Sequence, residues 1–274
     1  MLAAWVDGAP ASTISLDDRG LHYGDGLFET IGASGGHARF LEAHLARLMR
    51  GCAALSIPAP DTALLRFEVQ RAAAAAAHVL VKLIVTRGAA LERGYAFTGG
   101  EVPRRIVCAY LWPEGPDGER APARAAMAEL RTGRPLLAGI KHLNRLEQVM
   151  ARQEARQRDL DEVILCNDEG FVTGGSMTNV FALVDGRLVT PPAGQCAVAG
   201  VVRAQLLGTA GRLGITTGEL SLAPQVLQSA QALWLTNVRV GLWPVASFGQ
   251  RVFAAHEWTP RLQGALRDAA MEAL

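Results

Sequence analysis

The chain has 274 residues, half of them hydrophobic, and 27 Lys+Arg against 26 Asp+Glu give a formal net charge of +1. That length accommodates one large domain or two ordinary ones, and the near-balanced charge excludes the bulk signature of a nucleic-acid or acidic-surface binder. The longest apolar stretches are broken by Arg, Gly or Pro, and the start Met1-Leu-Ala-Ala-Trp-Val-Asp-Gly8 lacks a basic-then-apolar run, so neither a membrane span nor a signal peptide is expected.

Leu2–Val6 reads as a short strand closed by the turn signal Asp7-Gly8. Leu27–Ile31 reads as another, with Gly-rich residues 32–36 turning the chain. Leu41, Leu45, Leu48, Met49, Cys52 and Leu55 recur at helical spacing and predict an amphipathic helix over Leu41–Leu55. A second helix is predicted from an Asp61 cap through the Ala run ending at Ala77, since Ala is the best helix former. His78–Arg87 and Arg105–Trp112 are β-like.

Residues 113–122 hold two Gly, three Pro and four charges, the composition of a solvated linker. A smaller N-terminal α/β domain over 1–112 and a larger C-terminal domain over 123–274 are therefore expected. In the second part, Ala123–Arg131, Glu162–Asn167, Phe171–Val184 and Arg187–Thr190 predict strands, the last two joined by Asp185-Gly186. Leu143–Arg156 and Val201–Leu213 predict helices, Ala232–Thr236 and Leu242–Val245 strands, and Thr259-Pro260 opens a final helix. The four cysteines (52, 108, 166, 196) have no CxxC spacing and read as reduced thiols of a cytoplasmic protein. No HxxxH or HxH cluster occurs among the six histidines, so no metal site is expected.

Only Lys82 and Lys141 are lysines; the remaining 25 basic residues are arginines. A desolvated lysine amine can lose its proton and condense with an aldehyde, which a guanidinium cannot do. Composition alone leaves two readings of Lys141 open: reserved for such chemistry, or an ordinary exposed lysine at the start of a helical pattern. Three further stretches carry glycine in unusual company. Asp17–Thr30 combines glycines with Tyr23 and Phe28, as a ligand-binding loop or an ordinary tight loop would. Gly174–Phe181 is the second. In the third, Val198–Arg203, Gly200 precedes a predicted helix whose free N–H groups suit an anion.

Taken together these stretches resemble the class IV, fold-type IV pyridoxal-phosphate enzymes, which include branched-chain aminotransferases, D-amino acid aminotransferases and aminodeoxychorismate lyase. Asn179-Val-Phe181, Leu188-Val-Thr190 and Val198-Ala-Gly-Val-Val-Arg203 match the family signature, as does the opening Asp18–Glu29. Gly139-Ile-Lys-His-Leu-Asn-Arg-Leu-Glu-Gln148, Thr86-Arg-Gly88 and Arg93-Gly-Tyr95 look most like aminodeoxychorismate lyase. The resemblance implies a two-domain α/β fold of the D-amino acid aminotransferase type with the cofactor in the interdomain cleft. It also implies a homodimer acting on a small-molecule substrate, with no nucleic acid or membrane as partner. The implied activity is formation of 4-aminobenzoate and pyruvate from 4-amino-4-deoxychorismate in folate biosynthesis. The alternative is a D-amino acid or branched-chain amino acid aminotransferase.

By the same resemblance Lys141 binds pyridoxal phosphate as a Schiff base and later moves protons. Arg47 matches the phosphate-binding arginine; by its helix alone it reads as one of several exposed arginines. Val201 and Val202 match the positions whose N–H groups hold the phosphate, and Asn237 and Val238 match a second clamp, where the family often has Thr in place of Val238. Tyr23 and Phe28 match pocket-wall residues and read equally as core aromatics. Arg87, Arg93 and Arg105 are candidates for substrate carboxylates, or else surface and structural arginines. Lys82 projects from a strand with no role assigned.

The family carries Glu where this chain has Gly174. That Glu keeps the pyridine nitrogen protonated and the ring a strong electron sink. Three readings follow: water or another carboxylate substitutes, the enzyme works with a weaker sink, or activity is lost. Expulsion of pyruvate leaves an aromatic ring, which supplies driving force that amino transfer lacks. Losing the Glu should therefore cost an aminotransferase more than the lyase.

Overall fold

The computed structural model describes residues 1–89, 92, 94–116, 118–133 and 136–272. The chain forms two compact units: Met1–Gly118 with Ile140–Asn144, and Glu119–Gly139 with Arg145–Glu272. Among the described residues no helix is long and apolar enough to cross a membrane.

The N-terminal unit runs β1 (Ala3–Val6), β2 (Ala9–Pro10), α1 (Arg19–Tyr23), β3 (Gly26–Ser34), β4 (His37–Ala38), α2 (Leu41–Leu55), α3 (Thr62–Ala73), β5 (His78–Thr86) and β6 (Arg104–Leu111). Its strands form an antiparallel sheet in the order β2-β1-β6-β5-β3-β4. Alternation along β5 sends Val79, Val81, Leu83 and Val85 to one face, where they meet Leu45 and Leu48 of α2 and Leu65 and Val69 of α3. Each such buried aliphatic side chain is worth about 1.5–3 kcal/mol. Lys82 alternates to the opposite face. α2 has the predicted bounds, and Asp61 caps α3 by accepting from Ala63 N at 2.8 Å.

The second unit runs β7 (Ala123–Thr132), α4 (Leu146–Gln157), β8 (Glu162–Asn167), β9 (Val172–Gly175), β10 (Asn179–Val184), β11 (Arg187–Thr190), α5 (Val201–Arg212), β12 (Thr217–Glu219), α6 (Pro224–Ser229), β13 (Ala232–Asn237), β14 (Gly241–Phe248), β15 (Arg251–Val252) and α7 (Trp258–Glu272). The sheet order is β12-β11-β10-β13-β14-β7-β8-β9, with β15 on β14. β10 shows how both faces are covered. Phe181 and Leu183 join the cluster under α5 and α7, while Val180 and Ala182 join Leu227 of α6 and Trp243 on the other side.

Three predicted elements differ. The helix expected to run through Ala77 ends at Ala73, with Ala74 as its C-cap. The helix expected from Leu143 begins at Leu146, because Ile140–Asn144 is drawn out along β3 of the N-terminal unit. The strand expected over Phe171–Val184 is two strands, broken by a turn at Ser176–Thr178. In addition, Arg19–Tyr23, read as loop, is one helical turn, started by Asp18, which accepts from Gly20 N, and ended by Gly24 at φ +62°.

Candidate active site

In the N-terminal unit, Lys141 lies on a strand-like segment beside the start of β3. Phe28 N donates to Lys141 O at 3.0 Å, Leu143 N donates to Gly26 O at 2.9 Å, and Leu27 bridges His142. This backbone pairing places the Lys141 Nζ 4.2 Å from the Phe28 ring centroid. Lys82 reaches the same ring from β5, its Nζ at 5.4 Å. The register explains it: Thr30 pairs with Lys82 and Phe28 with Ile84, so Lys82 and Phe28 are diagonal neighbours on one face.

Arg47 is buried on the inner face of α2, not exposed. Its Nε donates to Glu29 Oε1 at 2.8 Å and its terminal nitrogen donates to Glu29 Oε2. His44, one turn earlier, donates from Nδ1 to Glu29 Oε2 at 2.7 Å. Burial alone would raise the Glu29 carboxyl, but the hydrogen bond and charge of Arg47, with help from His44, hold it at about 2. Burial pushes the His44 imidazole below its usual value despite the pull of Glu29. The group is thus an ionised Glu29, a neutral His44 and a guanidinium locked in orientation. His44 Nε2 is buried without a partner.

The other first-unit candidates are tied to protein. Arg87 is buried; its Nε and a terminal nitrogen donate to Asp25 at 2.8 and 3.1 Å, and it also donates to Leu55 O at 2.7 Å and Ser56 O at 2.9 Å. Its guanidinium stacks 3.8 Å from the Phe97 ring centroid. Arg105 pairs with Glu68 at 3.2 Å. Arg87 and Arg105 are thus each held by an acidic partner inside the N-terminal unit. Arg93 lies outside the described residues. Tyr23 sits 5.3 Å from Tyr95, ring to ring, over Arg19, which also gathers the carbonyls of Gly94, Tyr95 and Ala96 at 2.7–3.0 Å.

In the second unit, α5 starts at Val201 after Gly200, with no side-chain cap. Its first internal bond is Ala204 N to Gly200 O, so the N–H groups of Val201 and Val202 have no helical acceptor although both residues are buried. Asn179 fixes this end. Its Nδ2 donates to Val198 O at 2.9 Å, and a Cβ on Gly200 would lie 2.1 Å from its Oδ1, so any side chain there would displace Asn179. Asn179 also pairs with Thr236, whose Oγ1 is buried without a partner, and Asn237 follows. Asn237 Oδ1 accepts from Arg239 N and Val240 N at 2.8 and 2.9 Å, shaping the turn that carries Val238, itself partly buried. Unpaired helix N–H groups and an orphaned hydroxyl fit a phosphate, which agrees with the group the resemblance implies. Val238 adds no side-chain hydroxyl.

Gly174 has φ +135°, and a Cβ there would lie 2.9 Å from Thr178 O. The backbone itself is shaped for glycine. Among the described residues Glu162 is the one buried carboxylate of this unit, and its oxygens are occupied by the Ser176–Thr178 turn. Sequence reasoning missed Glu29, His44 and Glu162. A charged residue at an inward strand position was the available signal for both glutamates, and the i, i+3 spacing to Arg47 was the signal for His44.

Residues 26–248 match the model of the family described as amino-transferase class IV. A solved 4-amino-4-deoxychorismate lyase from Pseudomonas aeruginosa is similar with a TM-score of 0.90 and 43% identity, over 97% of this chain and 98% of that one. An aminodeoxychorismate lyase of Vibrio harveyi is 30% identical over 268 residues, 96% of this chain and 98% of its own. A D-alanine aminotransferase of Bacillus licheniformis is 28% identical over 268 residues, 94% of this chain and 92% of its own. With the family match spanning most of its length, this chain belongs to the pyridoxal-phosphate-dependent class IV amino-transferase family.

Proposed function

We propose that the protein is an aminodeoxychorismate lyase, converting 4-amino-4-deoxychorismate to 4-aminobenzoate and pyruvate in folate biosynthesis. The full-length likeness to two lyases supports this reading. The observation that carries the choice of lyase over amino transfer is Gly174, whose φ of +135° makes the missing carboxylate a property of the backbone.

When bound, pyridoxal phosphate supplies an aldehyde for the substrate amine and an electron-withdrawing ring. Lys141 would attach it and afterwards move a proton at Nζ. By the family resemblance the phosphate-binding positions fall on Arg47, held by Glu29 and His44, and on the N–H groups of Val201 and Val202, with Asn237 and Val238 as a second clamp. Phe28 forms an apolar wall that keeps water from the Lys141 amine. Gly174 offers no carboxylate to hold a proton on the ring nitrogen, and formation of an aromatic product would offset the weaker electron withdrawal that results. The enzyme works as a cytoplasmic homodimer.

The rival reading is a D-amino acid or branched-chain aminotransferase, which the similarity to a D-alanine aminotransferase favours; a cofactor-binding homologue weakened by Gly174 is the other. Purified protein is expected to release pyruvate and 4-aminobenzoate from aminodeoxychorismate and to transfer amino groups to 2-oxo acids poorly. Lys141→Ala is expected to abolish both the visible absorbance and turnover; retention of either in that variant would overturn the mechanism. Efficient amino transfer without lyase turnover would establish the rival, and neither activity would establish the weakened homologue.

A further inference from the structure

We propose that Glu162 is the positioning residue for the phosphate cradle, a role that rests on the cofactor site proposed above. Its side chain is fully buried in β8. Oε1 accepts from Val163 N and Ser176 N at 3.0 Å each, and from the Ser176 hydroxyl. Oε2 accepts from Met177 N at 3.3 Å and from the Thr178 hydroxyl at 2.9 Å. A buried carboxylate with five donors is a fixed point, because each bond removed strands a desolvated oxygen. The chain is cut to fit it: a Cβ on Gly175 would lie 2.7 Å from Glu162 Oε2.

The turn that Glu162 gathers reaches both walls of the cradle. Met177 O accepts from Asn237 Nδ2 at 3.2 Å, which holds the β13–β14 turn. Asn179, next after Thr178, secures Val198 and abuts Gly200 at the start of α5. Asn179 also stands in register with Thr236 and its unpartnered hydroxyl. One carboxylate thus sets the spacing between the helix N-terminus and the β13–β14 turn without touching the ligand. A site held to sub-ångström spacing needs such support behind the groups that bind.

The test is titration of apoprotein with pyridoxal phosphate and with pyridoxal, which lacks the phosphate, followed by tryptophan fluorescence. Wild type should bind the phosphorylated form more tightly. Glu162→Gln should weaken pyridoxal phosphate about tenfold or more, the scale on which supporting hydrogen bonds act on a bound group, and change pyridoxal little. Thr178→Val removes one donor, conserves shape and should move the same ratio less, which keeps the question open to measurement if Glu162→Gln fails to fold. A wild-type preference that both folded variants leave intact, or an equal loss for both ligands, would overturn the role of Glu162 alone. No wild-type preference at all would overturn the phosphate site itself, and the inference with it.

Discussion

Glu29 and Arg47 face each other inside the N-terminal unit, both buried, with Arg47 Nε 2.8 Å from Glu29 Oε1 and a second guanidinium nitrogen on Oε2. A carboxyl held from 4.5 down to about 2 is a store of stability on the order of 3 kcal/mol. Its folded value is the lower one, so this contribution is present above 4.5 and is lost as pH falls toward 2. His44 acts earlier in the same direction. Its folded value is below 6.5, so the unfolded chain gains a proton first as pH drops through 6.5. Urea unfolding across pH should show stability falling in two stages, one beginning near 6.5 and one between 4.5 and 2. Glu29→Gln should lose about 3–5 kcal/mol at neutral pH by stranding Arg47 and should make the lower stage shallower, the rest coming from other lowered carboxyls such as Glu101. An unchanged lower stage in that variant would show that Glu29 is not its source.

Arg87 is expected to serve the fold and not substrate recognition, because Asp25, Leu55 O and Ser56 O already take its donors. Arg87→Lys cannot reproduce two bonds to Asp25 together with those to Leu55 O and Ser56 O. It should destabilise the protein by about 2–4 kcal/mol and leave KM nearly unchanged at temperatures where the variant is folded. Thermal unfolding and steady-state kinetics on one preparation separate the two effects; a large rise in KM with unchanged Tm would return Arg87 to the substrate site.

Gly174→Ala should cost about 1–3 kcal/mol, because φ +135° is strained for any L side chain. Gly174→Glu should cost at least as much and should fail to confer efficient amino transfer, since the turn must move before a side chain fits. A stable Gly174→Glu variant with strong amino transfer would mean that the backbone is less fixed than its geometry indicates.

Both lysines lie over the Phe28 ring, so proximity to that ring alone does not select between them. Borohydride reduction of the loaded protein followed by peptide mass mapping should place the cofactor mass on Lys141. Lys82→Met should retain covalent attachment. Mass on Lys82 would reassign the attachment site.

What could be read from the sequence was what local periodicity controls. Helix α2 and strands β8 and β11 have the bounds that the apolar spacing predicts. Where a distant group decides, spacing failed. Leu143 was read as helical, but its N–H is bonded to Gly26 O, more than a hundred residues away in the chain. The strand over Phe171–Val184 breaks where Glu162 collects the donors of Ser176 and Thr178. The site divides in the same way. Lys141 stood out by the rarity of lysine, whereas Glu29, His44 and Glu162 matter for buried pairings that no single stretch of sequence displays.

Ile140–Asn144 is counted with the N-terminal unit, although the chain on either side of it is counted with the other. A cut at the Gly118–Glu119 junction would leave the first fragment with Phe28 and Arg47 but without the lysine, and the second with the lysine but without the strand it pairs with. Neither fragment would hold both Lys141 and the strand it pairs with. Exchanging the N-terminal unit for a homologue's must therefore carry Ile140–Asn144 with it.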